Sequence, residues 1–186
     1  MKRIARFEKV SLEQFREGWT DTFGSAEEEG IREIYDGIKL PKRATAGSAG
    51  YDFFAPVRLT LAPGETVKVP TGIRVWMEPE WVLKCYPRSG LGFKFRLQLN
   101  NTVGIIDSDY YYSDNEGHIF SKITNDSNEG KTVEIRAGEG FMQGIFVEYG
   151  ITVDDDATGI RNGGFGSTTA QSLQKCKPYY GKCKEM

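Results

Sequence analysis

Two carboxylates one residue apart, Asp107 and Asp109, follow the apolar run Gly104-Ile105-Ile106 and precede Tyr110. In an extended strand both would point to one side, where each raises the cost of ionising the other. A carboxylate held near a phosphate can position a water and take its proton. Alone, the pair suits a solvated turn better, because surface acids are common. Pro87-Arg88-Ser89-Gly90-Leu91-Gly92 combines a guanidinium, a hydroxyl and glycine-freed amides, although by itself it is an ordinary turn. Arg161-Asn162-Gly163-Gly164-Phe165-Gly166-Ser167-Thr168-Thr169 offers charge, amides and hydroxyls for phosphate oxygens, and a flat aromatic face. A nucleotide needs both kinds of contact, while a flexible linker would show the same glycines. Asp52 lies in the apolar stretch Tyr51-Asp52-Phe53-Phe54, a costly place for a carboxylate that is not paired, hydrogen-bonded or near a cation.

The elements that must position these groups are short. Between Ile38 and Tyr149 the pattern predicts strands near 51–55, 57–61, 65–69, 72–77, 81–86, 94–99, 102–106, 118–124, 131–136 and 141–148. Pro63-Gly64, Glu78-Pro79, Asn115-Glu116-Gly117, Asn128-Glu129-Gly130 and Gly138-Glu139-Gly140 supply turns between them. Many strands without helical periods between them imply an all-β jelly roll, sandwich or barrel. Only residues 11–37 read as helical, with Ser11 and Gln14, and Ser25 and Glu28, at capping-box spacing. The chain divides into a helical N-terminal extension (1–37), a β domain (38–150), a glycine-rich tail (151–170) and a polar end (171–186). The acids Asp154 to Asp156 and the glycines after them leave the tail little to bury, which predicts mobility.

At 186 residues and 39% hydrophobic the chain can build one full core. Its formal charge of −2 provides no basic field for a nucleic-acid polymer, so the tyrosines at 110–112 are not read as a base-stacking platform. Three cysteines without CxxC spacing and a single histidine exclude a disulfide framework and a structural zinc site. Cys85, in an apolar run, is expected in the core, and His118, beside a turn, is expected at the surface or in a strand. Without a signal-peptide pattern or a membrane-length apolar run, the expected location is cytoplasmic.

Together these segments resemble the ordered motifs of the trimeric dUTP pyrophosphatase family across about residues 38–169. The resemblance rests on Ala49-Gly50-Tyr51-Asp52, Pro87-Arg88-Ser89-Gly90-Leu91, Gly104 to Tyr110, Gly138-Glu139 with Gln143, and Gly163-Gly164-Phe165-Gly166-Ser167-Thr168. It implies a jelly-roll homotrimer with three active sites at subunit interfaces, each closed by a tail from another chain. It also implies hydrolysis of dUTP to dUMP and pyrophosphate by water attack on the α-phosphorus, which limits uracil in DNA and supplies dUMP for thymidylate. Carried over, Asp107 would activate the water, Tyr110 would exclude a 2′-hydroxyl, and Asn101 with the backbone around Gly104 and Ile106 would read uracil. Asp52 would act through water on Mg2+. Arg88, Ser89, Gly90 and Gln143 would contact phosphates or the attacking water. Phe165 would cover the base, and Gly166, Ser167 and Thr168 would meet the terminal phosphate with Arg161.

Three departures stand out. Tyr111, Tyr112 and a polar loop through Gly117 replace the usual short continuation after Asp-Tyr. Gly140 stands where the family usually has arginine, so one ion pair is expected to be missing. Arg161 is one residue closer to Gly-Gly-Phe than in the commonest pattern. The rival readings are a dCTP deaminase of the same fold, which lacks a tyrosine at the position of 110, and a dUTP-controlled regulatory protein. In the latter, the 111–117 loop and the N-terminal helices would serve an unknown protein partner.

Overall fold

Alternation of inward apolar and outward polar side chains organises the chain into short antiparallel strands, seen in a computed structural model that describes residues 1–163. In chain order these are β1 (Ala5–Lys9), β2 (Lys42–Arg43), β3 (Tyr51–Phe54), β4 (Leu59–Leu61), β5 (Thr66–Pro70) and β6 (Ile73–Met77). They continue with β7 (Trp81–Pro87), β8 (Leu97–Leu99), β9 (Gly104–Ile106), β10 (Phe120–Asn125), β11 (Val133–Ile135) and β12 (Gly140–Glu148). The widest sheet runs β2-β3-β12-β7-β9, and a second runs β5-β10-β8; β1 pairs with β6 and β11 with β4. This is the expected distorted jelly roll, closed over a core that includes Phe53, Leu83, Ile123, Ile135 and Phe141.

Two helices, α1 (Leu12–Phe23) and α2 (Glu28–Gly37), fill the span expected to be helical. Ser11 caps α1, its Oγ accepting from the Gln14 amide at 3.1 Å. The box expected at Ser25 does not form: Glu27 is the N-cap of α2 and makes no side-chain capping bond. Nor are residues 1–37 helical throughout. Ala5–Lys9 pairs with β6 in a register that sets Phe7 opposite Val75. Phe7 then packs its ring 5.3 to 5.7 Å from those of Tyr51, Phe53 and Phe146, which explains why this charged, alternating segment becomes a strand. Phe15 of α1 and Ile31 of α2 are buried in the same core, so the extension is part of the domain's packing.

The strand expected at 94–99 is also shorter. Ser89–Phe95 forms a helix, α3, and Arg96 ends it at φ 53°, in the left-handed region, before β8 begins at Leu97. Leu91 and Phe95, one turn apart, pack against the core, while Phe93 is 93% exposed.

His118 is fully buried rather than at the surface. Its Nε2 accepts from the Gly72 amide at 2.9 Å, and its ring lies against Phe15 and Phe120. Its Nδ1 has no partner among the described residues. Burial, with a smaller contribution from Lys68, pushes its pKa from 6.5 down to about 3. The unfolded chain therefore holds an extra proton between those two values. Stability is complete above about pH 6.5 and is lost as pH falls toward 3, at up to roughly 1.4 kcal/mol per pH unit for this one group. Urea unfolding from neutral pH down through that window should show this slope. His118→Gln, which can still accept from Gly72, should flatten it; an unchanged slope would assign the acid sensitivity to other groups.

Candidate active site

The turn between β8 and β9 is tight. The Thr102 amide donates to the Leu99 carbonyl at 2.8 Å and the Val103 amide to the Asn101 carbonyl at 2.6 Å, with Thr102 at φ 66°. Beside it opens a cavity of about 460 Å³. Asn101, Gly104, Ile106, Asp107, Tyr110 and Arg161, all expected at the site, line this one space. Its other walls include Cys85, Met142 and Ser121. Burial holds the Cys85 thiol at about 12, so it is a neutral wall and not a nucleophile. Ser121 is a lining residue that the sequence reading missed. Its hydroxyl is buried without a partner among the described residues, and the signal for it was a polar residue at an inward position of β10.

Tyr110 is almost wholly buried. Its hydroxyl donates to the His118 carbonyl and accepts from Asn115 Nδ2, both at 2.8 Å, which fixes the ring against the cavity. Burial raises its pKa, so the phenol remains protonated and able to donate. Asp107 and Asp109 do not share a strand face as expected. β9 ends at Ile106, and Ser108–Tyr112 turns into a short 3₁₀ helix. The two acids are instead joined by Arg161, whose Nη2 binds Asp107 and whose Nε donates to Asp109 at 2.9 Å. Asn162 then donates to Asp114 at 2.7 Å, laying the described end of the tail along the same loop.

A second group forms across β3, β12 and the end of β7. Gln143 stands opposite both Asp52 and Tyr86, and its Nε2 donates to the Pro87 carbonyl at 3.3 Å. Arg88 Nε lies 3.2 Å from Asp52 Oδ1, which supplies the cation that Asp52 requires in this setting. A Cβ at position 140 would come within 2.9 Å of Arg88 Nη1. The glycine there leaves room for the guanidinium. Ser89 and Gly90 are exposed in the first turn of α3, where backbone amides have no intrahelical acceptor. This group does not border the cavity that holds Asp107, so one chain brings the expected residues together in two sets. Phe165, Gly166, Ser167 and Thr168 lie outside the described residues, as does the polar end 171–186.

Among the described residues no cluster of three or more acid, histidine or cysteine side chains could hold a metal, and no helix is long and apolar enough to cross a membrane. Asp52 is thus a single carboxylate beside the Arg88 guanidinium. That arrangement suits a magnesium ion held mainly by substrate phosphates and water.

Residues 36–169 match the family model described as dUTPase. A deoxyuridine 5′-triphosphate nucleotidohydrolase of Lactococcus lactis is 44% identical over 137 residues, which cover 72% of this chain and 90% of that protein. One from Escherichia coli is 39% identical over 71% of this chain and 88% of its own length. Among solved structures, the dUTPase from Streptococcus mutans superposes with a TM-score of 0.58 at 36% identity, covering 80% of this chain and 98% of that one.

The geometry sets an expectation for Arg161. Its pairs with Asp107 and Asp109 lie at a surface, the acids' side chains being 40% and 54% exposed. Pairs of that kind contribute roughly 0–1 kcal/mol. Arg161→Ala should therefore shift unfolding in urea by no more than about 1 kcal/mol. A larger loss would show that the tail is part of the folded core.

Proposed function

The chain belongs to the dUTPase family, and on that premise we propose how its residues divide the hydrolysis of dUTP to dUMP and pyrophosphate. The enzyme is a dUTP diphosphatase. The observation that carries the assignment of roles is the single cavity shared by Asn101, Tyr110 and Asp107, which offers an amide for a base edge, an aromatic wall for a sugar and a carboxylate for a water. Uracil is read by Asn101 and the backbone at Gly104 and Ile106. Tyr110, its ring fixed by two hydrogen bonds at the hydroxyl, is the wall that excludes a ribose 2′-oxygen.

Asp107 takes a proton from water as its oxygen attacks the α-phosphorus, and the bond from that phosphorus to the bridging oxygen breaks to release pyrophosphate. Arg161 occupies the carboxylate oxygen of Asp107 that an attacking water would need. Triphosphate oxygens must therefore draw Arg161 away from Asp107 before the water can be activated. Arg88, Ser89, Gly90 and Gln143 neutralise and orient the phosphates. Asp52 would hold, through water, the Mg2+ that accompanies them, and the ion would supply charge stabilisation for the leaving pyrophosphate. Phe165, Gly166, Ser167 and Thr168 close the site over base and terminal phosphate.

The family resemblance implies a homotrimer, and the two sets of groups on one chain suit sites that neighbouring subunits complete. Arg161, which rests on its own chain's Asp107 here, moves in the trimer to the phosphates of another subunit's site. The setting is the cytoplasm, in keeping with a free, buried Cys85 and no pairing pattern among the cysteines. There the reaction removes dUTP before it reaches DNA and supplies dUMP.

Pyrophosphate release should be far faster from dUTP than from dTTP, dCTP or UTP, and chelation of divalent metal should abolish it. Asp107→Asn should lower turnover by roughly two or more orders of magnitude while substrate binding survives. Near wild-type turnover in that variant would remove Asp107 from the chemistry. Ammonia release from dCTP would restore the deaminase reading.

A further inference from the structure

Glu116 has φ 56° and Gly117 has φ 70°. Left-handed backbone suits glycine at 117, where a Cβ would come within 2.7 Å of the Tyr110 carbonyl oxygen and Tyr111 Cα. It does not suit a glutamate, and strained residues of this kind persist only where their surroundings fix them. The groups that hold its carboxylate at hydrogen-bond distance lie outside the family-matched part of the chain; inside it, the Glu116 amide donates to the Ser113 carbonyl at 2.8 Å and Arg74 Nη1 lies 3.9 Å from the carboxylate. The Glu116 carboxylate accepts from the Ser11 amide at 2.7 Å and from Ser11 Oγ at 2.6 Å. Ser11 is also the N-cap of α1, so the carboxylate sits where a helix favours negative charge. Next to this contact, Tyr111 donates its hydroxyl to Glu8 of β1 at 2.6 Å, and Arg74 of β6 stacks 3.7 Å from the Tyr111 ring centre. Arg74 Nη2 also donates to the Tyr111 carbonyl at 3.0 Å.

The folded-back turn reaches Tyr110 directly. Asn115 and His118, on either side of Glu116 and Gly117, hold the two hydrogen bonds of the Tyr110 hydroxyl, and the Gly117 amide donates to Asn115 Oδ1 at 3.2 Å. We propose that Glu116 and Ser11 are positioning residues for sugar selection: their contact fixes the strained turn, and the turn fixes Tyr110 against the deoxyribose. The segment ahead of the family domain thus sets the fidelity of a pocket that it does not touch. The inference rests on the reading of Tyr110 as the group that excludes a 2′-hydroxyl.

The test compares kcat/KM for dUTP and UTP in full-length wild type, Glu116→Gly, Glu116→Gln, Ser11→Ala and Glu17→Gly, with thermal unfolding measured alongside. Glu116→Gly relieves the backbone strain but removes the contact, and its preference for dUTP over UTP should fall roughly three- to tenfold. Ser11→Ala should lower the preference in the same direction, and Glu116→Gln, which keeps an acceptor, should retain most of it. Glu17→Gly weakens α1 on its exposed face without touching Glu116, and should leave the preference unchanged even if unfolding shifts. An unchanged preference in Glu116→Gly and Ser11→Ala overturns the proposal, as does an equal fall in Glu17→Gly, which would mean that helix stability alone is being read. If Glu116→Gly does not fold, Ser11→Ala against Glu17→Gly decides. Lack of discrimination in the wild type would instead defeat the reading of Tyr110, and the inference with it.

Discussion

The register of β12 is the constraint on which both halves of the site depend. This strand pairs with β3 on one side and β7 on the other, so that Gln143 faces Asp52 and Tyr86 while Gly144 faces Tyr51 and Cys85. A slip of one residue would send Gln143 to the opposite face and bury or expose the whole alternating set wrongly. The register shift between Gly140 and Met142 bends the strand where Arg88 crosses it, and the small residue at 140 gives the guanidinium its path to Asp52. β7 carries the constraint further. Its far edge pairs Cys85 with Gly104, which sets the start of β9 and hence the place of Asp107. Its C-terminal end delivers Pro87 and Arg88 to the other group.

Electrostatics follow from that frame. Each carboxylate given a chemical role already has a cation: Asp52 has Arg88, and Asp107 has Arg161. Both pairs are partly exposed, and a triphosphate can compete for both guanidiniums. Substrate binding therefore rearranges charge that the protein already holds. The phenol of Tyr110 behaves differently, because it is buried and doubly hydrogen-bonded, which suits a rigid wall more than a moving group.

Much of this was legible in the sequence, and for identifiable reasons. Gly64, Gly117, Gly130 and Gly138 mark turns, and each takes a positive φ that only glycine adopts readily. Asp107 stood out because it follows a short apolar strand and Arg161 because it leads a glycine-rich run, whereas Asn101, Gly104, Ile106 and Tyr110 came from the family resemblance. Phe95, Leu97 and Leu99 alternate with polar residues, which favours a strand over 94–99. Lys94 and Phe95 instead end α3, and the strand begins at Leu97. β1 was missed because its charges obscured Phe7, whose aromatic partners lie more than forty positions away. The same limit hid the contact of Arg161 with Asp107, which spans 54 residues, and that of Ser11 with Glu116, which spans 105. Local pattern names the groups; only the folded register shows which of them meet.

The central claim is that a single chain carries two incomplete parts of the catalytic site. Chains bearing Asp107→Asn and chains bearing Arg88→Ala, each inactive alone, can be unfolded and refolded together in equal amounts, with differential tags to confirm mixed trimers. If Asp107 and Arg88 serve one site from different subunits, random assembly leaves about one site in four with both groups intact, and pyrophosphate release from dUTP returns. Mixed trimers that stay inactive, while wild-type chains refolded in the same way recover, would contradict the division of the site between subunits.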